Sequence, residues 1–364
     1  MRLHDADSHQ RLGDWLSRQL GAEIAVTSAR QPGSGGGWSN ETWIVDVTGW
    51  RDMRVVIRMQ PDGPAMFRDY DLTREYRVLD ALTRLGHPPV AEVIAIDEPG
   101  KVLGRPMFAM NHVKGDIPSD DRPSFAVAGW LYEANPVEQR TFCTSLIRAI
   151  VDIHAADWNN LGLAFVAKNA QAPLPAEIDW YRDLHRWGAG SELHPTIERG
   201  FAALVDGLPG GGNACLLWGD ARPANVVAVD FKPVALLDWE LASIGPPEID
   251  VAWLLEMNRM RTIGSDVAPL PGFLSDDGIV AEYERVSGRT LADLAWHRLF
   301  AVLKMAVLME RHLRVAIARG HLRRDHRLLT DNVALRRLDV LNSRRGESQT
   351  RLTPHSAAFN AASA

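Results

Sequence analysis

Apolar and polar residues alternate in ways that divide the chain into a strand-rich first part and a helix-rich second part. The spacing of Leu12, Leu16 and Leu20 predicts a helix over residues 8–20. Short apolar runs bounded by turn residues then predict an antiparallel sheet. Its predicted strands are Glu23–Ala29, Thr42–Val47, Arg54–Met59, Val90–Ile96 and Pro106–Met110.

A further helix is predicted over Leu72–Leu85, between the third and fourth strands. Its apolar stripe comprises Leu72, Tyr76, Leu79 and Leu82. Glu75 falls on the same inward face as Leu72 and Leu79. A carboxylate in that position needs a partner, because an unpaired charge is costly to bury. The alternative is that Glu75 lies on the helix surface.

The second part is predicted to be mainly helical and to begin at about residues 111–116. Helices are predicted over Val137–His154, 177–205 with a break at Pro195, Ser275–Ser287 and Leu291–Ala318, and another is predicted to start near Glu248. The expected division is 1–111, 112–341 and a polar, Ala/Ser-rich tail over 342–364 that we expect to be disordered.

Two apolar runs in the second part each end at an aspartate. Asn213–Trp218 leads to Asp220, and Pro233–Leu237 leads to Asp238, with Asn225 between them. Such runs predict short buried strands, so the sequence places these polar side chains together at the ends of neighbouring strands. Converging oxygen ligands are what Mg²⁺ prefers.

Composition and charge indicate which kinds of binding partner to expect. The chain has 364 residues, enough for two cores, and its composition is ordinary for a globular protein. A net charge of −6 argues against nucleic acid or an anionic membrane as a partner. The oligomeric state stays open.

Cysteine content and hydropathy predict a cytoplasmic protein. Cys143 and Cys215 lie in apolar surroundings and provide neither a disulfide framework nor metal spacing. The first residues, MRLHDADSHQ, are too polar for a signal peptide. The best apolar run, Leu299–Met309, is interrupted by Lys304 and is shorter than the roughly 20 residues of a membrane span.

The double Asp pattern resembles the signature of the aminoglycoside phosphotransferase family, HGD-x4-N followed by a D-x-[DE] strand end. The corresponding residues here are Trp218-Gly219-Asp220, Asn225 and Asp238-Trp239-Glu240. Within that family, the sequence is most similar to a bacterial branch related to the kinase-like domain of some acyl-CoA dehydrogenases. The resemblance implies an α+β, two-lobed protein-kinase-like fold, with a small antiparallel-sheet lobe and a larger helical lobe.

The same resemblance implies roles for individual residues. Asp220 matches the catalytic Asp that orients or accepts the proton of the substrate hydroxyl, whereas an isolated Asp after Gly would more often cap a turn. Asn225 and Asp238 match the Mg²⁺ ligands. Asp250 matches a structural Asp that braces the catalytic loop. His154 is predicted to be a packed helix-end residue.

Two positions depart from the family pattern. Trp218 stands where most members have a supporting His, and indole offers one N–H donor and no acceptor. Arg58 stands where kinases have a phosphate-binding Lys, and Glu75 is its expected partner. A solvated edge-strand charge is the alternative for Arg58.

The resemblance also implies a nucleotide site built from the first part. The loop Gly33–Asn40 resembles the phosphate-covering loop, with Gly35, Gly36, Gly37, Ser39 and Asn40 as binding residues. A flexible linker is an equally good interpretation of its glycines. Met110 matches the gatekeeper position, and the backbone of Asn111 and Val113 would contact adenine.

The predicted function is Mg²⁺-dependent transfer of the γ-phosphate of ATP to a hydroxyl of a small molecule. The acceptor could be an antibiotic, a hydroxyacyl compound or another metabolite. A cationic antibiotic needs a carboxylate-lined pocket, and no such cluster is evident in the second part. A non-catalytic nucleotide-binding protein is the alternative outside the enzyme class, motivated by Trp218 and Arg58.

Overall fold

The computed structural model describes Leu3 and residues 5–32, 39–50, 54–120, 123–210 and 212–351. Its α-helices are α1 (Ala6–Leu20), α2 (Leu72–Leu85), α3 (Trp130–Glu133), α4 (Pro136–Ala155), α5 (Pro173–Ala189), α6 (Pro195–Asp206), α7 (Glu248–Arg261), α8 (Asp276–Ser287), α9 (Leu294–Ala318) and α10 (Val333–Arg351). Its strands are β1 (Ala25–Arg30), β2 (Glu41–Thr48), β3 (Arg54–Met59), β4 (Val93–Asp97), β5 (Met107–Asn111), β6 (Cys215–Leu217), β7 (Val226–Val229), β8 (Lys232–Leu236) and β9 (Ser243–Gly245).

The first five strands form one antiparallel sheet in the order β1-β2-β3-β5-β4. Val55, Ile57 and Met59 of β3 pack into a small core that the sheet shares with α1. Because successive strand residues face opposite sides, Val56 and Arg58 point away from that core. The alternation therefore directs Arg58 toward the second part of the molecule.

The helix α2 has the bounds that the sequence predicts, and its ends explain why. The Asp71 side chain accepts a hydrogen bond from the Arg74 backbone at the start, and Gly86 ends the helix with φ +82°. Leu79 and Leu82 pack into the larger core of the second part. This packing turns Glu75 inward, where it is 3% exposed.

The second part is built around a larger core, to which its helices and short strands contribute together with α2. The strands β6 and β9 form one two-stranded sheet, and β7 and β8 form another. The prediction that Asp220 and Asp238 follow neighbouring strands is therefore wrong, because β6 and β8 belong to different sheets. Other contacts bring the two aspartates to one cleft, as described below.

Two further predictions can be compared with the structure. Pro195 begins α6 instead of only interrupting one long helix. The helix α10 extends through Arg351, so the backbone is helical beyond residue 342, where we expected a disordered tail to begin. The division of the chain near residue 111 stays a prediction. In the described parts of the chain, no helix is both long and apolar enough to cross a bilayer.

Candidate active site

The loop after β6 carries Asp220, and its backbone shape depends on Gly219. Gly219 has φ +86°, and a Cβ at this position would lie 2.1 Å from the carbonyl oxygen of Leu241. A side chain would therefore be strained by its backbone and by this clash. The turn places Asp220 on the wall of a large cleft, with the residue 7% exposed.

Three side chains donate hydrogen bonds to the Asp220 carboxylate. Trp253 Nε1 donates to Oδ1 at 2.7 Å. Arg222 Nε and Asn225 Nδ2 donate to Oδ2 at 2.9 Å and 2.8 Å. Because both oxygens are held, the carboxylate has a fixed orientation in the cleft.

Asp250 binds the backbone of the loop that carries Asp220. It is 0% exposed, and its carboxylate accepts from the backbone N–H groups of Trp218 at 2.7 Å and Gly219 at 3.0 Å. His154 Nε2 lies 3.2 Å from Asp250 Oδ2, and His154 Nδ1 lies 2.8 Å from the Tyr283 hydroxyl. These contacts agree with the predicted bracing role of Asp250 and the packed position of His154.

The Trp218 indole connects the two aspartate-bearing loops. The side chain is fully buried, and its Nε1–H donates to the carbonyl oxygen of Leu237 at 2.8 Å. Leu237 directly precedes Asp238, and its own N–H donates to Asn225 O at 2.8 Å. The indole donor and this backbone hydrogen bond together link the Asp220 loop to the Asp238 loop.

Arg58 lies between carboxylates from both parts of the molecule. Its Nη2 is 3.2 Å from Glu75 Oε2, 3.1 Å from Asp238 Oδ1 and 3.8 Å from Glu240 Oε2. Arg58 and Glu75 are 8% and 3% exposed, which excludes a solvated edge charge and a surface helix carboxylate.

Burial sets the ionisation of this cluster. It raises the pKa of Glu75 above its ordinary value, although the Arg58 charge opposes the shift. Burial opposes the positive charge of Arg58, but Glu75, Asp238 and Glu240 outweigh it and raise the pKa of Arg58. A permanently charged guanidinium therefore offsets the negative charge on this side of the cleft.

Glu240 contacts Ser39 and Asn40, the last two residues of the predicted phosphate-covering loop. Its carboxylate accepts hydrogen bonds from the Ser39 hydroxyl and from Asn40 Nδ2, the latter at 3.2 Å. Burial, followed by the neighbouring Asp238, raises the pKa of Glu240 well above its ordinary value. Ser39 and Asn40 are each 5% exposed, whereas the predicted Gly35, Gly36 and Gly37 lie outside the described residues.

A mostly apolar cavity of about 170 Å³ lies beneath the sheet and next to Asp238. Met110, Asn111 and Val113 line it together with Ile44, Val56, Leu79, Val227 and Leu236. The Asn111 N–H donates to Glu92 O at 2.8 Å, so this predicted adenine donor is already bonded within the protein. The cavity has the apolar character expected for a base.

A second cavity, of about 510 Å³, opens on the other side of Asp238 and reaches Asp220 and Asn225. Its apolar wall comprises Met66, Phe67, Met257, Met305 and Leu308. Asp120 also lines it and pairs with both Arg222 and Arg261, the latter through bonds of 2.7 Å and 2.8 Å. This cavity has room for a small molecule beside Asp220.

The residues predicted to hold Mg²⁺ offer oxygen atoms to one cleft. Asn225 and Asp238 line the same cavity as Asp220, and Asp238 has φ +62°. Within the described ranges, no group of three His, Cys, Asp or Glu side chains is placed to hold a metal. Mg²⁺ is usually held by one or two carboxylates together with substrate phosphates, so the donor set fits a metal carried in with a nucleotide.

Sequence reasoning missed four residues of this site: Asp120, Arg222, Trp253 and Arg261. Arg222 follows Asp220 by two positions, so its closeness to the motif was a usable signal. Trp253 lies one helical turn after Asp250 on α7, which places both on the same face. Asp120 and Arg261 have no local pattern that indicates their pairing.

The sequence model of a family described as the phosphotransferase enzyme family matches residues 31–289. The chain belongs to the phosphotransferase enzyme family. The match extends from before β2 to the end of α8, so it includes the Arg58, Asp220 and Asp238 regions.

The curated relatives that this chain matches are larger proteins. Acyl-CoA dehydrogenase family member 10 of Mus musculus is 28% identical over 219 residues, which cover 60% of this chain and 19% of that protein. Member 11 of Rattus norvegicus is 26% identical, with 64% of this chain and 28% of that protein covered. The chain thus spans less than a third of the length of these relatives.

Solved structures show the same fold. A candidate aminoglycoside phosphotransferase from Ralstonia eutropha JMP134 has a TM-score of 0.66 at 21% identity, covering 94% of this chain and 98% of that one. A ternary complex of aminoglycoside phosphotransferase APH(4)-Ia with AMP-PNP and hygromycin B has a TM-score of 0.55 at 15% identity, with 91% and 98% covered. The two-lobed, kinase-like α+β fold is confirmed.

Proposed function

We propose that this chain transfers the γ-phosphate of ATP, with Mg²⁺, to a hydroxyl group of a small molecule. The observation that carries the proposal is that Asp238 lines both cavities, the apolar one beneath the sheet and the larger one that contains Asp220. A base in the first cavity and an acceptor in the second would meet at Asp238. The complex of APH(4)-Ia with AMP-PNP and hygromycin B supports a nucleotide and a small molecule bound together in this fold.

Phosphoryl transfer through a loose transition state requires alignment and charge neutralisation more than covalent chemistry. Asp220 orients the acceptor hydroxyl and accepts its proton. Arg58, paired with Glu75, binds the phosphates, and Ser39 and Asn40 cover them. A bound Mg²⁺, held by Asn225 and Asp238, would neutralise phosphate charge.

The second cavity favours a metabolite over a cationic antibiotic as the acceptor. Asp120 is already paired with Arg222 and Arg261, and Arg222 also binds Asp220. A polycation would have to compete with these guanidinium groups for the carboxylates. The methionine, leucine and phenylalanine side chains of the opposite wall fit an acceptor with an apolar portion, such as a hydroxyacyl compound.

Thermal stabilisation and turnover, measured in matched variants, test the proposal. The parent should gain stability when ATP and Mg²⁺ are added together, by about 2.7 kcal/mol at a hundredfold excess over Kd. Asp238→Ala should lose the Mg²⁺-dependent gain. Asp220→Ala should keep it but lose turnover by about 10²–10⁴-fold. The exposed Asp183 on α5 provides the control, and Asp183→Ala should behave as the parent.

Two results would contradict the proposal. Unchanged Mg²⁺-dependent stabilisation in Asp238→Ala would disprove the metal assignment. Nucleotide binding by the parent with no turnover of ATP across a broad panel of hydroxyl compounds would favour a non-catalytic nucleotide-binding protein.

A further inference from the structure

Lys304 is a buried cation directly behind the catalytic loop. It lies in the middle of α9 and is 3% exposed. Its Nζ donates a hydrogen bond to the carbonyl oxygen of Gly219, the residue before Asp220. A buried ammonium is costly unless neighbouring groups compensate it, so the contact has a substantial energetic role.

The surroundings of Lys304 connect it to the Asp220 side chain as well as to the backbone. Nζ lies 4.2 Å from the centre of the Trp253 ring and 5.7 Å from that of Tyr181, both within cation–π range. The same Trp253 ring donates its Nε1–H to Asp220 Oδ1 at 2.7 Å. One cation therefore contacts both the peptide that precedes Asp220 and the indole that holds its carboxylate.

Two helices hold the backbone of Gly219, one through its N–H and the other through its carbonyl oxygen. Asp250 of α7 accepts from the Gly219 N–H at 3.0 Å, and Lys304 of α9 donates to the Gly219 carbonyl. Burial lowers the pKa of Lys304, and the carboxylates of Asp250, Asp220 and Glu177 oppose that shift. Lys304 does not line either cavity of the proposed site, so it acts through the loop and not on a ligand.

We propose that Lys304 is a positioning residue for phosphoryl transfer, fixing Asp220 through the Gly219 carbonyl and the Trp253 indole. The inference rests on the proposed function of Asp220. This role belongs to a residue of α9, far along the chain from the Trp218–Asp220 motif. In the sequence, Lys304 is noticeable only because it interrupts the apolar run Leu299–Met309. Small displacements of a reacting group can reduce rates about 10²-fold.

The test compares Lys304→Met, which preserves length and apolar bulk, with a control on the same helix. Lys304→Met should lower kcat about 10²-fold while the KM for ATP with Mg²⁺ changes less than about threefold. Lys304→Arg, which keeps a positive charge over the indole, should recover part of the lost kcat. The control is Leu303→Ala, which removes buried bulk from α9 next to Gly200 and should leave kcat near the parent value.

Trp253→Phe keeps the proposal testable if Lys304→Met fails to fold. It removes the donor to Asp220 and should lower kcat to a similar extent. Since both residues act on Asp220, the double variant should lose little more than the worse single variant. Equal loss of kcat in Leu303→Ala and Lys304→Met, or fully additive losses in Lys304→Met and Trp253→Phe, would overturn the proposal.

A spectroscopic measurement separates failure of this inference from failure of the proposed function. Trp253 is one of twelve tryptophans, and its indole N–H resonance can be assigned in ¹⁵N-labelled protein by its loss in Trp253→Phe. Lys304→Met should shift this resonance, because the ring loses its cation and its hydrogen bond loosens. An unshifted resonance would refute the role of Lys304. A parent without ATP turnover would refute the proposed function. In that case the resonance would still show whether Lys304 affects the hydrogen bond between Trp253 and Asp220.

Discussion

At the scale of single residues, the site depends on two indole donors, one within the family signature and one outside it. Trp218 replaces the usual His with one N–H donor, and the structure gives that donor the Leu237 carbonyl as its partner. Trp253 gives its own N–H to Asp220. Indole is therefore used twice as a rigid donor in buried surroundings, where each donor needs a partner.

We expect Trp218→Phe to destabilise the protein by about 1–3 kcal/mol, because the buried Leu237 carbonyl would lose its donor. The Mg²⁺-dependent stabilisation by ATP should also weaken, since Leu237 immediately precedes Asp238. Denaturant unfolding and thermal shifts measure the two effects. Trp187→Phe is the control, because Trp187 is 40% exposed. Equal stability losses in both variants would count against the predicted link between the loops.

At the scale of elements, α7 organises much of the second part. Asp250 and Trp253, both in the first turns of α7, bind the loop that carries Asp220. Further along, the fully buried Glu256 accepts from Arg298 of α9 at 2.5 Å and from Arg337 of α10 at 2.9 Å. The same helix therefore holds the Asp220 loop and, through Glu256, binds both α9 and α10.

The ion pairs of Glu256 with Arg298 and Arg337 should make the stability of the protein depend on pH. Burial raises the pKa of Glu256, but hydrogen bonds from Arg337 and the charge of Arg298 outweigh it, so the net pKa is lowered. A carboxylate whose pKa is lower in the folded state stabilises the protein above its unfolded pKa, about 4.3. That contribution disappears as the pH falls through the folded pKa.

Glu256→Gln should therefore lose about 1.5–3 kcal/mol of unfolding free energy at pH 7, because hydrogen bonds to a charged group are lost. The deficit relative to the parent should stay constant down to about pH 5 and shrink below about pH 4. Urea unfolding of both proteins across this range measures it. A deficit that grows on acidification would show that the sign is wrong.

At the scale of the whole molecule, cations from one part bind acceptors in the other. Arg58 of the sheet faces Asp238 and Glu240. Arg74 of α2 donates to the carbonyl oxygens of Val166 and Ala242, at 2.5 Å and 2.9 Å. The cleft is therefore held by charge as well as by the apolar packing of α2 in the larger core.

Arg58→Met should destabilise the protein by about 3–5 kcal/mol, because it leaves buried carboxylates without a cation. Glu75→Gln in the same background should recover part of the loss, which a double-mutant cycle measures. Arg54→Met on the same strand is the control, because its ion pair with Asp46 is more exposed and worth less than about 1 kcal/mol. Independent effects of Arg58→Met and Glu75→Gln would contradict the coupling.

The elements with strong local signals were predictable. The bounds of β3 and α2 match the predicted Arg54–Met59 and Leu72–Leu85. Period-two alternation places Arg58 on the face of β3 opposite Ile57, and the position of Glu75 on an apolar stripe predicts its burial. These inferences succeed because periodicity records which side of an element faces the core.

The sequence by itself determined elements with strong periodicity, such as β3 and α2, and, through the family resemblance, the kinase-like fold and the choice of Asp220, Asn225 and Asp238 as candidate site residues. Only the tertiary structure decided what surrounds them. It showed that β6 and β8 lie in separate sheets, that the Trp218 indole links the two loops, and that Lys304 lies behind Gly219. The physical reason is that a hydrophobic pattern specifies which face is buried. It does not specify which distant side chain will be packed against that face, and hydrogen bonds and charge pairs across long sequence separations are fixed only when the helices pack.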